Sequence, residues 1–463
     1  MKRFGKTAAH VVFSGIILFG TACTGSGEPP YQYLLEQISE PVFPEKRYDV
    51  RDFGAVGDGN TDSRGAINRA ITQCSNEGGG QVIVPAGKYF SAGPVVLKSR
   101  VDLHLDAGCE LVFSPRPEDY LPAVLTVWEG TELFNYSPLV YAYQVSDVAL
   151  TGKGTLNGNA SKAFARWRPQ GSEIQDQLRQ MGIDGVPVKD RYWGTESNLP
   201  PSMVQFFGCN RVLVEGVTII DSPYWVIHPV FCNSVTVRGV EINSYNLNND
   251  GCDPEYSTNV LIEDCIFRVG DDAIAIKAGR DNDAWRIGQP TRNIVIRRCL
   301  FNSLCNGLCI GSEMAAGVEN VFMENIRIQN CLSGIYFKSN LDRGGFIRHV
   351  DIRNVECDSV RSAFIRFETN YHGGRGGFHP TLFEDFHIEN IRGNVSGECG
   401  FYAVGIENYP LKNIALENVT LKQANEDYIL KNVENITFDN VVINGKTMSR
   451  HPAGTEASRL QTE

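Results

Sequence analysis

A repeated segment of about ten residues constrains the fold of this chain more than any other feature. Each copy opens with a turn residue and then alternates apolar and polar residues, which indicates a strand with one buried face. The copies begin 22 to 34 residues apart. The clearest copies begin at Asn210, Asn233, Asn259, Asn293, Asn320, Asn413 and Asn435. Because β-branched strands are joined here by Gly, Asn and Asp turns, the repeat predicts an all-β parallel β-helix rather than a leucine-rich or helical solenoid.

The repeat defines one elongated domain over residues 48–447 of the 463. A short amphipathic helix beginning at Thr61 or Asp62 is predicted to cap the open end of the solenoid. Residues 157–200 interrupt the repeat as an insertion, with a predicted helix around residues 173–181. Trp167 and Trp193 in this insertion are expected to pack it together; stacking on a bound ligand is the alternative.

The first 23 residues are typical of a bacterial export signal. A basic start is followed by an apolar run over residues 8–19 and by small residues before Cys23, which predicts a lipoprotein signal acylated at that cysteine. Cleavage by the ordinary signal peptidase is the alternative. Residues 24–47 are predicted to be a tether, and residues 448–463 a C-terminal tail. We therefore expect an exported protein of a Gram-negative bacterium, either periplasmic or attached to the outer membrane only by its lipid.

Charge and cysteine usage exclude several classes of function. The net charge is −11 and the isoelectric point is about 5.4, which disfavours nucleic-acid binding. Twelve cysteines follow Cys23 without the spacing of a zinc site, and we expect most of them to be buried free thiols, with no metal and no cofactor. A monomer is expected. An acidic ligand would require local cations, for which the candidates are Lys277, Arg280, Lys338, Arg343 and Arg375.

Polar residues between positions 248 and 338 recur at intervals close to that of the repeat. The steps from Asp250 to Asp272, Asn306 and Lys338 are 22, 34 and 32 residues. A β-helix rises about 4.8 Å per coil, so these groups can stack on one face. A single Asp or Asn is ordinarily only a turn residue. Asp250, Asp271 and Asp272 together would repel one another, which suggests acid/base hydrolysis instead.

Six short motifs stand out along the chain: VRDFGAVGDGNTD, SPYWVIHPV, NNDGCDP, VGDDAIAIKAGRD, GLCIGSE and FKSNLDRGG. Together they resemble family 28 of the glycoside hydrolases, the polygalacturonase family, and its bacterial exo-acting branch in particular. The resemblance runs from about residue 48 to the C-terminal repeats. It implies a right-handed, single-stranded parallel β-helix of the pectin-lyase-like type.

The resemblance also implies roles for individual residues. Asp271 would be the general acid of an inverting reaction, while Asp250 and Asp272 would activate the attacking water. The residues expected to bind substrate are Asn306, Lys338, Arg280, His228, Tyr336 and Asp253. The partner would be an acidic polysaccharide, pectin or its fragments.

Two departures from the family pattern bear on specificity. The family's Gly-His-Gly falls on Cys305-Asn306-Gly307, which leaves altered pH behaviour or an inactive site open. The family's Arg-Ile-Lys falls on Tyr336-Phe337-Lys338, so the arginine that would grip a leaving-side carboxylate is lost. This loss suggests a neutral leaving sugar such as rhamnose.

The preferred hypothesis is therefore an inverting, exo-acting α-galacturonidase on pectic oligosaccharides, cutting galacturonate from rhamnose. Exopolygalacturonase action on galacturonan is the alternative within the class. A non-catalytic glycan-binding β-helix is the alternative from another class. A calcium-dependent pectin lyase is disfavoured, because the hydrolase motif is complete.

Overall fold

The computed structural model describes residues 31–164, 167, 171–194 and 197–448. The predicted signal with Cys23, and all of the predicted C-terminal tail except Met448, lie outside these residues. Within them, no helix is long and apolar enough to cross a membrane.

Parallel strands stack coil upon coil into three sheets. The first sheet contains Arg47–Asp49, Gly80–Val84, Val101–Leu105, Ser146–Gly152, Asn210–Glu215, Asn233–Arg238, Thr258–Glu263 and Thr291–Arg297. The second contains Asp58–Asp62, Gly87–Ser91, Cys109–Phe113, Thr155–Asn157, Thr218–Ile220, Glu241–Ser244, Ile266–Val269 and Leu300–Ser303. The third contains Val95–Leu97, Val140–Tyr143, Val204–Phe207, Ile227–Val230, Ile274–Ile276, Leu308–Ile310, Ile335–Lys338 and Ala363–Glu368.

In the last coils, long strands bend and contribute to more than one sheet. They are Val318–Cys331, Phe346–Val360, Leu382–Val404, Leu411–Lys431 and Val433–Ile443. The short strand Lys446–Thr447 turns back antiparallel on the last of them. The predicted right-handed parallel β-helix is confirmed.

The asparagines that open the repeats form a ladder along the solenoid. Asn259, Asn293 and Asn320 each donate a side-chain amide hydrogen bond of 2.9–3.0 Å to the asparagine one coil earlier. All three adopt left-handed backbone angles, with φ near 60°. Asparagine tolerates this conformation better than other residues with a side chain, which explains its recurrence at this turn.

The interior of the solenoid is one continuous apolar core built from the inward positions of the three sheets. The prediction of buried free thiols is confirmed for most of the cysteines, since eleven of the twelve in the described residues are buried and all twelve are free. The exception is Cys305, which is partly exposed.

A helix covers the N-terminal end of the core, as predicted. It spans Arg64–Asn76 and so begins two or three residues later than the sequence indicated. The buried residues Ala66, Ile67, Ala70 and Ile71 form its inner face. This face contacts the first strands of the first and third sheets and closes the core.

Residues 31–46 form an ordered strap along the outside of the first sheet. Tyr31 lies just before the short helix Gln32–Leu35 and stacks on Phe322 with ring centroids 5.6 Å apart. Arg238 pairs with Glu40 at 2.5 Å farther along the strap. This part of the predicted tether therefore belongs to the folded domain.

Three additions cover one end of the third sheet's outer side. They are the antiparallel hairpin of Val124–Trp128 with Thr131–Asn135, the helix Ser172–Ile183 and the helix Asp281–Ile287. The second is the helix predicted within the insertion. Short 3-10 helices connect other elements at Val50–Phe53, Pro117–Tyr120, Ala160–Lys162 and Val188–Asp190.

The two tryptophans of the insertion pack against protein. Trp167 contacts the rings of Tyr136 and Phe164, with centroids 5.4 and 5.0 Å away. Trp193 packs against an apolar cluster that includes Trp128. The packing interpretation of these residues is confirmed.

Candidate active site

Asp250, Asp272 and Asn306 stack on three successive coils, at the turn that leads into the third sheet. The backbone N–H of Gly251 donates to the carbonyl of Asp272 at 2.9 Å, and the N–H of Ala273 donates to the carbonyl of Asn306 at 2.8 Å. The predicted spacing of one coil per step is therefore confirmed for these residues.

Lys338 lies one coil farther along, at the end of the strand Ile335–Lys338. It does not continue the row of Asn306. Instead it aligns with Lys277 in the third sheet. Lys277 directly follows the strand Ile274–Ile276, and Lys338 is the last residue of its own strand. Both lysines are buried and reach toward the carboxylates from the side.

Asp250, Asp272 and the two lysines line a cleft of about 350 Å³ on the outer side of the third sheet, whereas Asn306 lies behind Asp272 and is not part of the lining. Its walls carry charges of both signs. The lining residues include Glu129, Gln175, Arg179, Trp225, Asn248, Asp250, Asp271, Asp272, Lys277, Arg280, Glu313, Lys338, Arg343, Tyr371, His372 and Arg375. A larger groove of about 1040 Å³ lies at the bend between the first and second sheets, where turn residues such as Asn325 and Asn354 line it. None of the predicted site residues lies in that groove.

Asp272 is held in its ionised form. Lys338 donates to one of its oxygens at 3.1 Å, and the side-chain amide and backbone N–H of Asn306 donate to the other at 2.6 and 3.1 Å. Burial opposes the charged form, but Lys338, Lys277 and Asn306 outweigh it and lower the pKa of Asp272 below its usual value. Asn306, which replaces the histidine of the family pattern, thus binds a carboxylate that the sequence predicts to be catalytic.

Asp271 and Asp250 are shifted in the opposite direction. Burial and the charge of Asp272 raise the pKa of Asp271 to about 6. Burial and the charge of Asp271 raise the pKa of Asp250 well above its usual value. The cleft therefore holds one carboxylate that stays charged, Asp272, beside two whose pKa values are raised. Asp250 keeps its proton, and Asp271 keeps its proton up to about pH 6, which is the kind of distribution that acid/base hydrolysis requires.

The remaining cations of the cleft are already paired with carboxylates, and these are buried except for the partner of Arg375. Arg280 contacts Glu129 at 2.8 Å and Glu313 at 2.7 Å, and Lys277 contacts Glu313 at 3.0 Å. Arg343 contacts Asp281 at 2.5 Å. Arg375 pairs with Asp176 of the insertion helix at the rim of the cleft.

Glu129 and Glu313 were missed by the sequence reasoning. Glu313 is the last residue of the GLCIGSE motif, so the sequence marked its position but did not show that it pairs with Lys277 and Arg280. Glu129 lies in the hairpin far upstream, where no motif marks it.

His228 and Asp253 are fully buried beneath the floor of the cleft and do not line it. The Nε2 atom of His228 lies 2.9 Å from Glu255, and its Nδ1 atom lies 3.0 Å from the amide of Gln205. Its ring also packs edge-on against Trp225, with centroids 4.8 Å apart. The prediction that they bind substrate directly is therefore corrected, because neither side chain has any surface open to a sugar. Both instead support the residues that form the floor of the cleft.

Tyr336 is buried beside Lys338 and is not among the residues that line the cleft. Its hydroxyl donates to Glu368, and the ammonium of Lys338 lies 5.4 Å from its ring centroid. On the adjacent coil, Arg366 pairs with the same Glu368 at 3.0 Å. The two charges on this side therefore neutralise each other.

One group of potential metal ligands lies in the cleft. One oxygen each of Asp271 and Asp272 and the Sγ atom of Cys305 all lie within 4.8 Å of one another. The ammonium of Lys338 already contacts this Asp272 carboxylate, and a protonated lysine cannot ligate a metal. We therefore assign no metal to it. A second such group, His387, Glu389 and Glu417, lies on the outer face of the first sheet, away from the cleft.

The sequence was compared with models of protein families. The model for "Glycosyl hydrolases family 28" matches residues 74–442, which is most of the chain. The chain belongs to glycosyl hydrolases family 28. Family 28 membership confirms the prediction of a glycoside hydrolase and does not favour the non-catalytic alternative.

Several known proteins are similar to this chain over most of its length. An exopolygalacturonase of Thermotoga maritima has a crystal structure that superposes with a TM-score of 0.89 at 37% identity, covering 92% of this chain and 98% of that protein. A probable polygalacturonase of Vitis vinifera is 28% identical over 81% of this chain and 74% of its own length. The exo-poly-α-D-galacturonosidase of Dickeya chrysanthemi is 25% identical, and the match spans 75% of this chain but only 62% of that protein.

Proposed function

We propose that this protein is an inverting, exo-acting α-galacturonidase that removes galacturonate from the ends of pectic oligosaccharides. The observation that carries the proposal is the pairing of an ionised Asp272 with a protonated Asp271 in one cleft. Similarity to the exopolygalacturonase of Thermotoga maritima supports the substrate class.

The proposed division of labour follows the protonation states. Asp271 donates its proton to the oxygen of the departing sugar, while Asp272 takes a proton from the attacking water. Asp250 retains a proton in the empty cleft, so we assign it to holding that water by a hydrogen bond rather than to acting as a second base. The family resemblance implies that Asp250 and Asp272 activate the water together; here we assign the role of base to Asp272 alone.

Exo action is supported by the hairpin, the insertion helix and the loop that carries Arg375, which together close one end of the cleft. The hairpin supplies Glu129, and the insertion helix supplies Gln175 and Arg179 to the lining. Arg375 from a loop on the opposite side pairs with Asp176 of the same helix. A polymer running through the cleft would have to displace these elements, whereas a chain end can enter without doing so.

The finer proposal concerns the leaving sugar, which we assign as neutral. A leaving-side carboxylate near Tyr336 would meet two charged groups that are already paired. The negative charge of Glu368 is balanced only by Arg366. The ammonium of Lys338 is bound to Asp272. No bidentate arginine fork is offered there to a carboxylate. Rhamnose, as found in rhamnogalacturonan-type linkages, is the neutral candidate.

Exopolygalacturonase action on galacturonan is the second candidate, and the activity named for the Thermotoga maritima protein favours it. Turnover of a galacturonate–rhamnose disaccharide and of digalacturonate by the native enzyme separates the two. We expect higher kcat/KM for the rhamnose-linked substrate, and a smaller difference in Tyr336→Arg, with Tyr336→Phe as the matched control. Equal or faster turnover of digalacturonate by the native enzyme would select the second candidate.

A further inference from the structure

Cys305 differs from every other cysteine in the described part of the chain, because it alone is partly exposed. It directly precedes Asn306, the residue that binds Asp272. Its backbone N–H donates to the hydroxyl of Ser303 at 2.8 Å. Ser303 in turn donates to the backbone carbonyl of Asp271. The position of Cys305 is thus fixed relative to the proposed general acid by one shared hydroxyl group.

The thiol of Cys305 faces the carboxylate of Asp271. Its sulfur lies within 4.8 Å of one oxygen each of Asp271 and Asp272. An ionised carboxylate can only accept hydrogen bonds, so in that state the thiol is the donor.

The charges around Cys305 keep the thiol protonated. Burial, Asp271 and Asp272 raise its pKa well above the usual value, with a further contribution from Asp250, and Lys338 opposes them only in part. A thiolate is the nucleophilic form of cysteine, so this thiol is suited to donating a hydrogen bond rather than to attacking a substrate.

We infer that Cys305 is a positioning residue that donates its S–H hydrogen bond to the Asp271 carboxylate and stabilises the charge left there after proton transfer. This inference rests on the proposed function, because it assigns Asp271 as the acid. The family pattern has glycine at this position, so the donor is a property of this chain. Asp271 also accepts from the backbone N–H of Asp272 at 3.0 Å and from the side-chain amide of Asn248 at 3.5 Å, so Cys305 adds a further donor to this carboxylate.

The pH dependence of kcat/KM tests the inference. A hydrogen bond to the charged form lowers the pKa of an acid, so its removal raises that pKa. The other ionisable groups that act on Asp271 are Asp272, which raises its pKa, and Lys338 and Lys277, which lower it; all three remain in the variants. The general acid must be protonated, so activity falls as the pH rises through its pKa.

In Cys305→Ala and Cys305→Gly we therefore expect the falling limb to move to higher pH by about half a unit or more. Cys305→Ser, which keeps a donor, should retain the native limb or lie close to it. A purely structural role would change the rate at all pH values without moving the limb. Coincident limbs for the native enzyme and Cys305→Ala would overturn the inference.

The reciprocal effect gives a second test that needs no activity. The rate at which methyl methanethiosulfonate modifies Cys305, followed by peptide mass spectrometry, reports the thiolate fraction at each pH. In Asp271→Asn one negative neighbour is lost, so modification should begin at lower pH than in the native protein. Identical profiles would contradict contact between the two groups. If the protein hydrolysed no pectic substrate at all, the proposed function would fail, but this measurement would still report on the contact.

Discussion

Lys338 donates a hydrogen bond of 3.1 Å to Asp272, although 66 residues separate the two in the chain. One coil of the solenoid lies between the strand that follows Asp272 and the strand that ends at Lys338, so the contact exists only because the coils stack in register. Through it, the carboxylate proposed as the base stays charged in a buried site where desolvation alone would favour its protonated form.

Replacement of Lys338 by methionine keeps the length of the side chain and removes this charge. The pKa of Asp272 should then rise, because burial would no longer be offset. A base must be ionised to act, so the acidic limb of the pH–rate profile should move to higher pH, and kcat should fall about 100-fold. Lys412→Met, which removes an exposed lysine far from the cleft, is the control and should behave as native. An unchanged acidic limb in Lys338→Met would argue against Asp272 as the base.

The native enzyme should lose activity as the pH rises through about 6, the value to which burial and Asp272 raise the pKa of Asp271. The sign follows from the role of Asp271, since a general acid is active only while it holds its proton. The pH dependence of kcat/KM on a defined oligosaccharide gives the value for the free enzyme. A falling limb beyond pH 8 would not fit this assignment.

Asparagine substitutions should separate the three aspartates. Asp271→Asn removes the proton donor and should lower kcat about 1000-fold, with substrate binding retained. Asp272→Asn should lower kcat by a similar factor. Asparagine resembles a protonated aspartate in shape and charge, so Asp250→Asn should retain at least about tenfold more activity than Asp272→Asn. Single-turnover rates and calorimetric binding of product measure these effects; equal losses in Asp250→Asn and Asp272→Asn would restore a shared base role.

The strap over the first sheet should contribute to stability. Tyr31 is buried among Leu261, Val295 and Phe322, and its hydroxyl has no hydrogen-bond partner within the described residues. Tyr31→Ala should lower the free energy of unfolding by about 3 kcal/mol, whereas Tyr31→Phe should leave it unchanged or slightly higher. Thermal unfolding of both variants measures this. A native Tm for Tyr31→Ala would mean that the strap is not part of the cooperative domain.

The sequence predicted the solenoid and the stacking of Asp250, Asp272 and Asn306 because both depend on a spacing along the chain. A repeat places its members in space by itself, so counting residues was enough. The sequence also placed Asn306 next to the predicted aspartates, but only the structure showed that its amide binds Asp272.

Contacts between distant, unrepeated segments could not be predicted in this way. Glu129 reaches Arg280 from a hairpin outside the repeat, and Tyr31 packs on Phe322 nearly 300 residues later. Burial of His228 was also hidden, because an alternating pattern does not distinguish the floor of a cleft from the layer beneath it. The register does make that distinction.

Time-resolved proton NMR of products from defined pectic oligosaccharides tests the central claim most directly. The claim is that Asp271 and Asp272 catalyse inverting removal of single galacturonate residues from the chain end. We expect free galacturonate as the first product, appearing in the β configuration before it equilibrates, from native enzyme and not from Asp271→Asn. Release of internal fragments, an unsaturated sugar, or α-galacturonate as the first product would contradict the account.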